Sequence, residues 1–344
     1  MSIQHVDPHT YLDWNATLLA APQASFFHTT HWLRVLQESY GYRPYYFACF
    51  KEKQLALLLP FMEVKSWVTG TRGVSLPFTD YCEPIVDAAT ASREWLAPVI
   101  MTAQQRQWKF LEVRGGEALL PGVSPYTSYA RHSLGLGASA AEIFSRMRSN
   151  YRGRIKKACG HALVVAMLRS PEAMAEYYRL HCLTRKRHGL PPQPAYFFQK
   201  IQEHIMAHNF GFVTLVSYKG RNVAGAVFFT FGSRAVYKFG ASEIEYQHLH
   251  PNYLLFWYVI QWLCHNDYKE LCFGRTAQSN QGLMQFKDGW GTRKSYIHYY
   301  RYDIKTRSFM QSTNGQAEVG SQLCRKMPMT LLQLAGSLLY KHIG

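Results

Sequence analysis

Apolar and polar positions repeat along this chain with two periods, and each change of period marks an element boundary. From Ser25 to Ser39, Phe26, Phe27, Trp32, Leu33, Val35 and Leu36 fall on one side of a helical projection, and Ser25 can cap it, so the spacing predicts a helix over 25–39. Two apolar runs follow, Tyr45 to Phe50 and Leu55 to Phe61, separated by Lys51-Glu52-Lys53-Gln54, the signature of a hairpin. A loop containing Gly70 and Gly73 leads into Ser75-Leu76-Pro77-Phe78-Thr79-Asp80-Tyr81, where Pro77 lacks the N–H that a central strand needs and so marks an edge or a site loop. Residues 92–107 have helical spacing, and Trp108 to Arg114 reads as a strand.

The second half repeats that order. Phe212 to Tyr218 and Val223 to Phe231 are strands around the turn Lys219-Gly220-Arg221-Asn222; Tyr237 to Ala241 is a third strand, Leu254 to Asn266 a helix and Tyr268 to Phe273 a fourth strand. Matching patterns about 165 residues apart suggest one fold used twice. Between the halves, the stretch from Arg146 to Lys157 is half basic, and on a helix Arg148, Arg152 and Lys156 would share a face suited to phosphates. A second cationic cluster, Arg185-Lys186-Arg187-His188, ends a predicted helix and reads as an ordinary complement to its dipole.

The stretch Leu271 to Trp290 carries the clearest chemistry. An apolar strand ending in Gly274 places Arg275 at its C-terminal rim, where open α/β sheets keep their ligand crevices. Lys287 follows on a short helix that Gly289 and Gly291 are expected to terminate in the left-handed conformation. Two cations on either side of a loop suit an anion or a developing oxyanion.

Composition narrows the class. With 344 residues, 47% of them hydrophobic, the chain is expected to bury about two cores and is not a disordered protein. A net charge of +16 points to a partner bearing phosphates or acidic groups. The seven cysteines are scattered without a Cys-x-x-Cys pair, which argues against a disulfide scaffold or zinc site and for free thiols in a reducing compartment. The first residues lack a secretory pattern, no stretch is long enough to span a bilayer, and the fifteen histidines form no ligand motif. The tail from Val319 to Ile343 is uncharged from Met327 to Tyr340 and leucine-rich, with Arg325, Lys326 and Lys341 at its ends; packing on the second domain and lying in a membrane interface are its two readings.

Ser75-Leu76-Pro77-Phe78, the basic run Tyr151 to Ala158, Tyr237-Lys238-Phe239-Gly240-Ala241, Phe273-Gly274-Arg275-Thr276 and Gln285-Phe286-Lys287-Asp288-Gly289-Trp290-Gly291 together resemble the FemAB-related branch of the GNAT acyltransferases, which includes cell-envelope and exopolysaccharide-associated proteins. The resemblance covers roughly residues 25–300 and implies an α/β (α+β) fold of two tandem GNAT-like domains, each a mixed, mostly antiparallel sheet flanked by helices. It divides the chain into 1–145, 146–318 and a tail at 319–344, and implies transfer of an acyl group from a thioester to an amine or hydroxyl of an envelope- or exopolysaccharide-related acceptor.

The family's functional lysine corresponds to Lys287, with Arg275 behind it; Asp80 and His248 are the proton-acceptor candidates, and Asp288 a further one. Arg148, Arg152, Lys156, Tyr81, Lys238, Asn252, Tyr253 and Trp290 are the substrate-binding candidates, and no metal is expected. A standard GNAT cradles acetyl-CoA pyrophosphate on a glycine-bearing turn before a helix, whereas Tyr246 to Tyr253 contains none. That absence argues against acetyl-CoA itself; the resemblance implies an acyl-CoA or acyl-carrier-protein thioester as co-substrate, with aminoacyl-tRNA as the alternative in a peptidyltransferase acting on a peptidoglycan precursor. The remaining rival is a non-catalytic module for nucleic acid or an anionic membrane. The expected partners are a phosphate-bearing or lipid-linked glycan acceptor and tRNA, with membrane contact through 319–344 of a protein otherwise in the cytoplasm, at the inner face of the membrane.

Overall fold

The computed structural model describes residues 3–52, 54–87, 93–311 and 321–343; Lys53 of the predicted hairpin turn and the start of the tail lie outside them. The chain divides into two compact units, Met1–Tyr129 with Tyr296–Gln316 and Leu338–Gly344, and Ala130–Ser295 with Ala317–Ser337.

The first unit opens with β1 (Gln4–Val6), α1 (Trp14–Leu19) and α2 (Thr30–Tyr40), then β2 (Arg43–Lys51), β3 (Gln54–Val64), β4 (Arg72–Val74), β5 (Ile85–Val86), α3 (Leu96–Gln105) and β6 (Phe110–Arg114). The predicted helix over 25–39 is broken: Ser25 caps a 3-10 turn at Phe26–His28, and Thr29, whose hydroxyl accepts from Trp32 N–H, starts α2. Strands are ordered β1-β2-β3-β4-β6, with β5 on β3. Leu57, Leu59 and Phe61 alternate along β3 and meet Val99 and Ala103 of α3 and Leu111 and Val113 of β6 in one core.

The second unit runs β7 (Thr127–Gly135), α4 (Ala140–Arg146), α5 (Ser149–Cys159), β8 (Leu163–Leu168), α6 (Pro171–Arg187), α7 (Ala195–Ile201), β9 (Gly211–Tyr218), β10 (Arg221–Phe231), β11 (Arg234–Ser242), α8 (Pro251–His265), β12 (Glu270–Ala277) and α9 (Gln281–Asp288). Its strand order is β7-β12-β11-β10-β9-β8. Beyond it lie β13 (Arg293–Asp303), β14 (Ser308–Phe309), α10 (Gln322–Lys326) and α11 (Met329–Ile343).

The repeat is real in topology. β3 is antiparallel to β4, which is parallel to β6; likewise β10 is antiparallel to β11, which is parallel to β12. The boundaries differ from 145/146 and 318/319. β7 joins β12 from residue 130, and β13, from residue 296, pairs antiparallel with β6 through Tyr299↔Arg114 to Asp303↔Phe110. Each unit thus completes its sheet with a strand supplied after the other unit's repeat. The tail is no separate segment: within the second unit Gly336 lies so close to Pro192 that a Cβ there would come within 2.0 Å of its carbonyl oxygen, and within the first Tyr42 donates to the Tyr340 carbonyl at 3.3 Å.

The basic stretch also differs from expectation. The helix breaks at Met147, so Arg148 is the N-cap of α5, and its N–H bonds Gly289 O. Arg152 donates to Ser145 O at 2.8 Å and Met147 O at 2.6 Å, closing the C-terminal end of α4. Arg148, Arg152 and Lys156 therefore do not form one anion-facing stripe: Arg152 is turned back onto α4, which leaves Arg148 at the N-cap and Lys156 two turns on as the exposed pair.

Candidate active site

β11 and β12 pair in parallel only from Arg234↔Glu270 to Val236↔Cys272, yet β11 continues to Ser242 and β12 to Ala277. The strands splay after three residues, opening a wedge at their C-terminal ends. Beside it lies a cleft of about 240 Å³. Tyr237, Gly240 and Ala241 of β11, Asn252 and Phe256 of α8, Arg187 and His188 at the end of α6, and Leu283 and Phe286 of α9 line it. A Cβ at Gly240 would meet the Tyr237 hydroxyl at 1.9 Å, so any larger residue there would have to push that side chain aside. Two larger hollows, of about 430 and 370 Å³, lie in the first unit, and neither is lined by a predicted site residue.

α9 links the cleft to the charged groups behind it. Asn280 caps its start, accepting from Leu283 N–H at 3.1 Å, and Tyr151 donates to the Gln285 and Phe286 carbonyls at 3.1 Å each. Gly289 ends the helix in a right-handed conformation, and Gly291, at φ 76°, makes the left-handed reversal. On the turn after Leu283 and Phe286 stands Lys287, 2% exposed. Its Nζ donates to the carbonyls of Gly274 and Arg275, each at 3.2 Å. Consecutive strand carbonyls normally face opposite edges, but Gly274 at φ 70° interrupts the alternation, and both oxygens reach the same ammonium just past the last β11–β12 pair.

Asp288 accepts a 3.0 Å hydrogen bond from His132 Nε2 on β7, a residue the sequence did not single out. The imidazole is fully buried, and its pKa is pushed down by that burial; Lys287 and Lys294 push the same way against the Asp288 carboxylate. The ring is therefore neutral with its proton on Nε2, while Nδ1, also buried, has no hydrogen-bond partner among the described residues. The Asp288 side chain is one-third exposed, so the pair reaches from the core to the solvent side.

Residues 145–288 match the family model of the acetyltransferase (GNAT) domain. The structure is similar to FemX (TM-score 0.68, 14% identity, 86% of this chain and 96% of that one). It is also similar to L-PGS from Bacillus licheniformis (0.52, 12%, 90% and 96%) and to a tandem GNAT protein from the clavulanic acid biosynthesis pathway (0.52, 10%, 88% and 99%). The fold is two GNAT-like domains in tandem. At these identities the solved structures bear on architecture alone, and no curated protein matches the sequence.

The turn between β11 and α8, which the resemblance matches to a pyrophosphate-binding turn, departs from the glycine form. Residues Ile244–Leu249 are a 3-10 turn, and His250 takes the left-handed φ of 59°. Pro251 has no N–H, and the amides of Tyr253 and Leu254 both donate to His250 O. The backbone thus offers a phosphate little of what a helix N-terminus normally provides. Cations surround it instead: burial first, then the charges of Arg154, Lys157, His161 and His248, hold His250 below its ordinary pKa.

The remaining predicted residues scatter. Asn252 lines the cleft and Tyr253 takes a hydrogen bond from Arg154, whose guanidinium sits 5.0 Å from its ring centre. Trp290 is fully buried among Tyr151, Tyr253 and Phe256, which makes it core and not a substrate contact. His248 is exposed outside the cleft with its Nδ1 2.8 Å from Glu245 O, and Lys238 is half-buried over Phe239. Asp80 and Tyr81 belong to the first unit, where Tyr81 is buried against Phe27. Arg187 and His188, read from the sequence as a helix-dipole complement, are walls of the cleft; only the β11–β12 geometry reveals that.

Proposed function

We propose that the second unit transfers an acyl or aminoacyl group from an activated ester or thioester to an amine or hydroxyl. The observation that carries this is the wedge beyond Val236↔Cys272, with a cleft on one side of α9 and the Lys287, Asp288 and His132 group on the helix's next turn. A cleft of about 240 Å³ is smaller than the usual range for drug-sized ligands and suits the acyl end of a donor better than a whole nucleotide.

In this reading the acceptor attacks the donor carbonyl, the C=O pair moves onto oxygen, and the leaving group departs as that oxyanion collapses. Arg275 and Lys287 supply positive charge to the oxyanion, a contribution typically worth a few kcal/mol for each preorganised donor. Asp288, oriented by His132, takes the acceptor's proton. A thioester is the first donor class. The aminoacyl ester of tRNA is the second reading, favoured by the α8 turn, which lacks the amide cradle for a pyrophosphate but carries Arg154 and Lys157 beside it. Acceptors of cell-envelope or exopolysaccharide chemistry, bearing phosphate, fit the charge of +16.

The test is turnover with radiolabelled acyl-CoA and with aminoacyl-tRNA across a panel of amine and hydroxyl acceptors, with RNase separating the two donors. Lys287→Met and Asp288→Asn are each expected to lower kcat at least a hundredfold. Unchanged turnover in both would refute the assignment, and salt-sensitive nucleic-acid binding without any turnover would favour the non-catalytic module.

A further inference from the structure

We infer that the first unit carries a docking surface for an anionic bilayer, formed by the 65–71 loop and the last turns of α11. Trp67 is 87% exposed and Val68 61%, an unusual place for a tryptophan, whose one partner ring among the described residues is His342. The loop is not loose. Ser66 Oγ accepts from the amides of Val68 and Thr69, and Arg72, buried, donates to Thr69 Oγ1 at 2.6 Å and to His342 O at 2.8 Å. One guanidinium thus fixes the Trp67 loop against the end of α11, where Leu338, Leu339 and Ile343 are each about half exposed.

α11 itself is apolar on two faces. Leu332, Gly336 and Tyr340, at i, i+4 and i+8, form its buried face. In the stretch that belongs to the first unit, Leu338, Leu339 and Ile343 point outward and are between 48% and 57% exposed. A helix whose outward stripe is leucine has an apolar face still to be covered. The charge around it selects the occupant. Residues 338–343, the part of α11 in the first unit, contain Lys341 and no aspartate or glutamate, and Lys65 flanks the loop. Glu63, two residues from Lys65 and 3.8 Å from its ammonium, is buried and already bonded by Arg106 and Trp108, while the Lys65 side chain stays 60% exposed. Exposed tryptophan and leucine bordered by Lys65 and Lys341 match the interface of an anionic membrane, where aromatic rings sit at headgroup level and lysines meet lipid phosphates. No described helix is long and apolar enough to cross the membrane, so the contact is peripheral.

The experiment is co-sedimentation of the full chain with phosphatidylcholine vesicles and with vesicles in which a third of the lipid is phosphatidylglycerol, at low and at half-molar salt. Binding is expected on the anionic vesicles and at least tenfold weaker on neutral vesicles or at high salt. Trp67→Ser and the pair Leu338→Gln with Leu339→Gln are each expected to weaken it at least tenfold with the melting temperature maintained, since all three side chains are exposed. Brominated lipids should quench wild-type fluorescence more than that of Trp67→Phe. Equal binding to both vesicles, or binding that neither variant changes, overturns the proposal. So does a dimer in analytical ultracentrifugation that the leucine pair dissolves, since a second copy would then cover the stripe.

Discussion

Acid should destabilise the first unit through one histidine. His28 is fully buried, and its two ring nitrogens have fixed roles: Nδ1 accepts from Ser25 N–H at 3.0 Å, so Nε2 carries the proton and donates to Glu83 O at 3.0 Å. Burial lowers its pKa from 6.5 to about 4, against the two backbone bonds. A second proton would have to enter Nδ1 and face the Ser25 N–H. The unfolded chain takes up that proton near pH 6.5 and the folded chain only near pH 4, so stability is full above 6.5 and falls as pH drops between the two values. The shift, at about 1.4 kcal/mol per unit, corresponds to roughly 3 kcal/mol, most of it gone by pH 4.5. That is a large part of a typical domain stability of about 5–15 kcal/mol. The assay is urea unfolding at pH 7.5 and 4.5 for wild type and His28→Gln. The variant should be weaker at pH 7.5 yet lose less on acidification, by roughly 2–3 kcal/mol. Because Glu83 O lies just beyond Asp80 and Tyr81, limited proteolysis in the 75–83 loop should rise with acid in the wild type. Parallel losses in the two proteins would refute the argument, since carboxylates elsewhere act equally on both.

Two substitutions test how α9 is held. Tyr151→Phe removes the donor to the Gln285 and Phe286 carbonyls and should cost about 1–3 kcal/mol in chemical denaturation, with faster amide exchange across 281–288 than elsewhere in the second unit. Gly289→Ala should be worse: an added Cβ would lie 2.1 Å from the Tyr151 ring, so ring or helix must shift, an overpacking cost of about 1–3 kcal/mol on top of the disturbed cap, visible as a lower melting temperature.

The topology was legible because it rests on local periodicity. The hairpins around Lys51 and Lys219, the helix before β12 and the strand ending near Gly274 all follow from alternation, turn chemistry and apolar runs, and so does their recurrence. The unit boundaries were not. Nothing in the residues of β7 or β13 says which sheet each will join, because that choice depends on partners far away in sequence. The break at Met147 was missed for a subtler reason: the run from Arg146 to Lys157 has helical spacing throughout, and it is Arg152 bonding back to Ser145 and Met147 that stabilises the interruption.

The site was legible in part. Strand, glycine, Arg275 and a capped helix bearing Lys287 could be read in order, but not that Lys287 is buried, since the two carbonyls it binds converge only through the φ of Gly274. His132 was invisible: it meets Asp288 from 156 residues away, with no motif around it.

Comparing the two units explains why chemistry is assigned to the second. In the first, β4 pairs with β6 at Gly73↔Leu111 and Val74↔Glu112, and the contact continues as Ser75 N–H donates to Glu112 O at 2.8 Å. A Cβ on Gly73 would lie 2.2 Å from the Trp108 ring, so that indole covers the strand where a ligand would need room. The Glu112 carboxylate that follows is buried between Arg114 and Arg301, whose charges outweigh its burial and hold its pKa down. The equivalent strands of the second unit part after Cys272, and the carbonyls of Gly274 and Arg275 beyond that point are met by a lysine ammonium, with a cleft alongside. The same topology has therefore been closed by an indole and an ion-pair network in one copy and left open in the other, and the GNAT family match, at 145–288, falls on the open one.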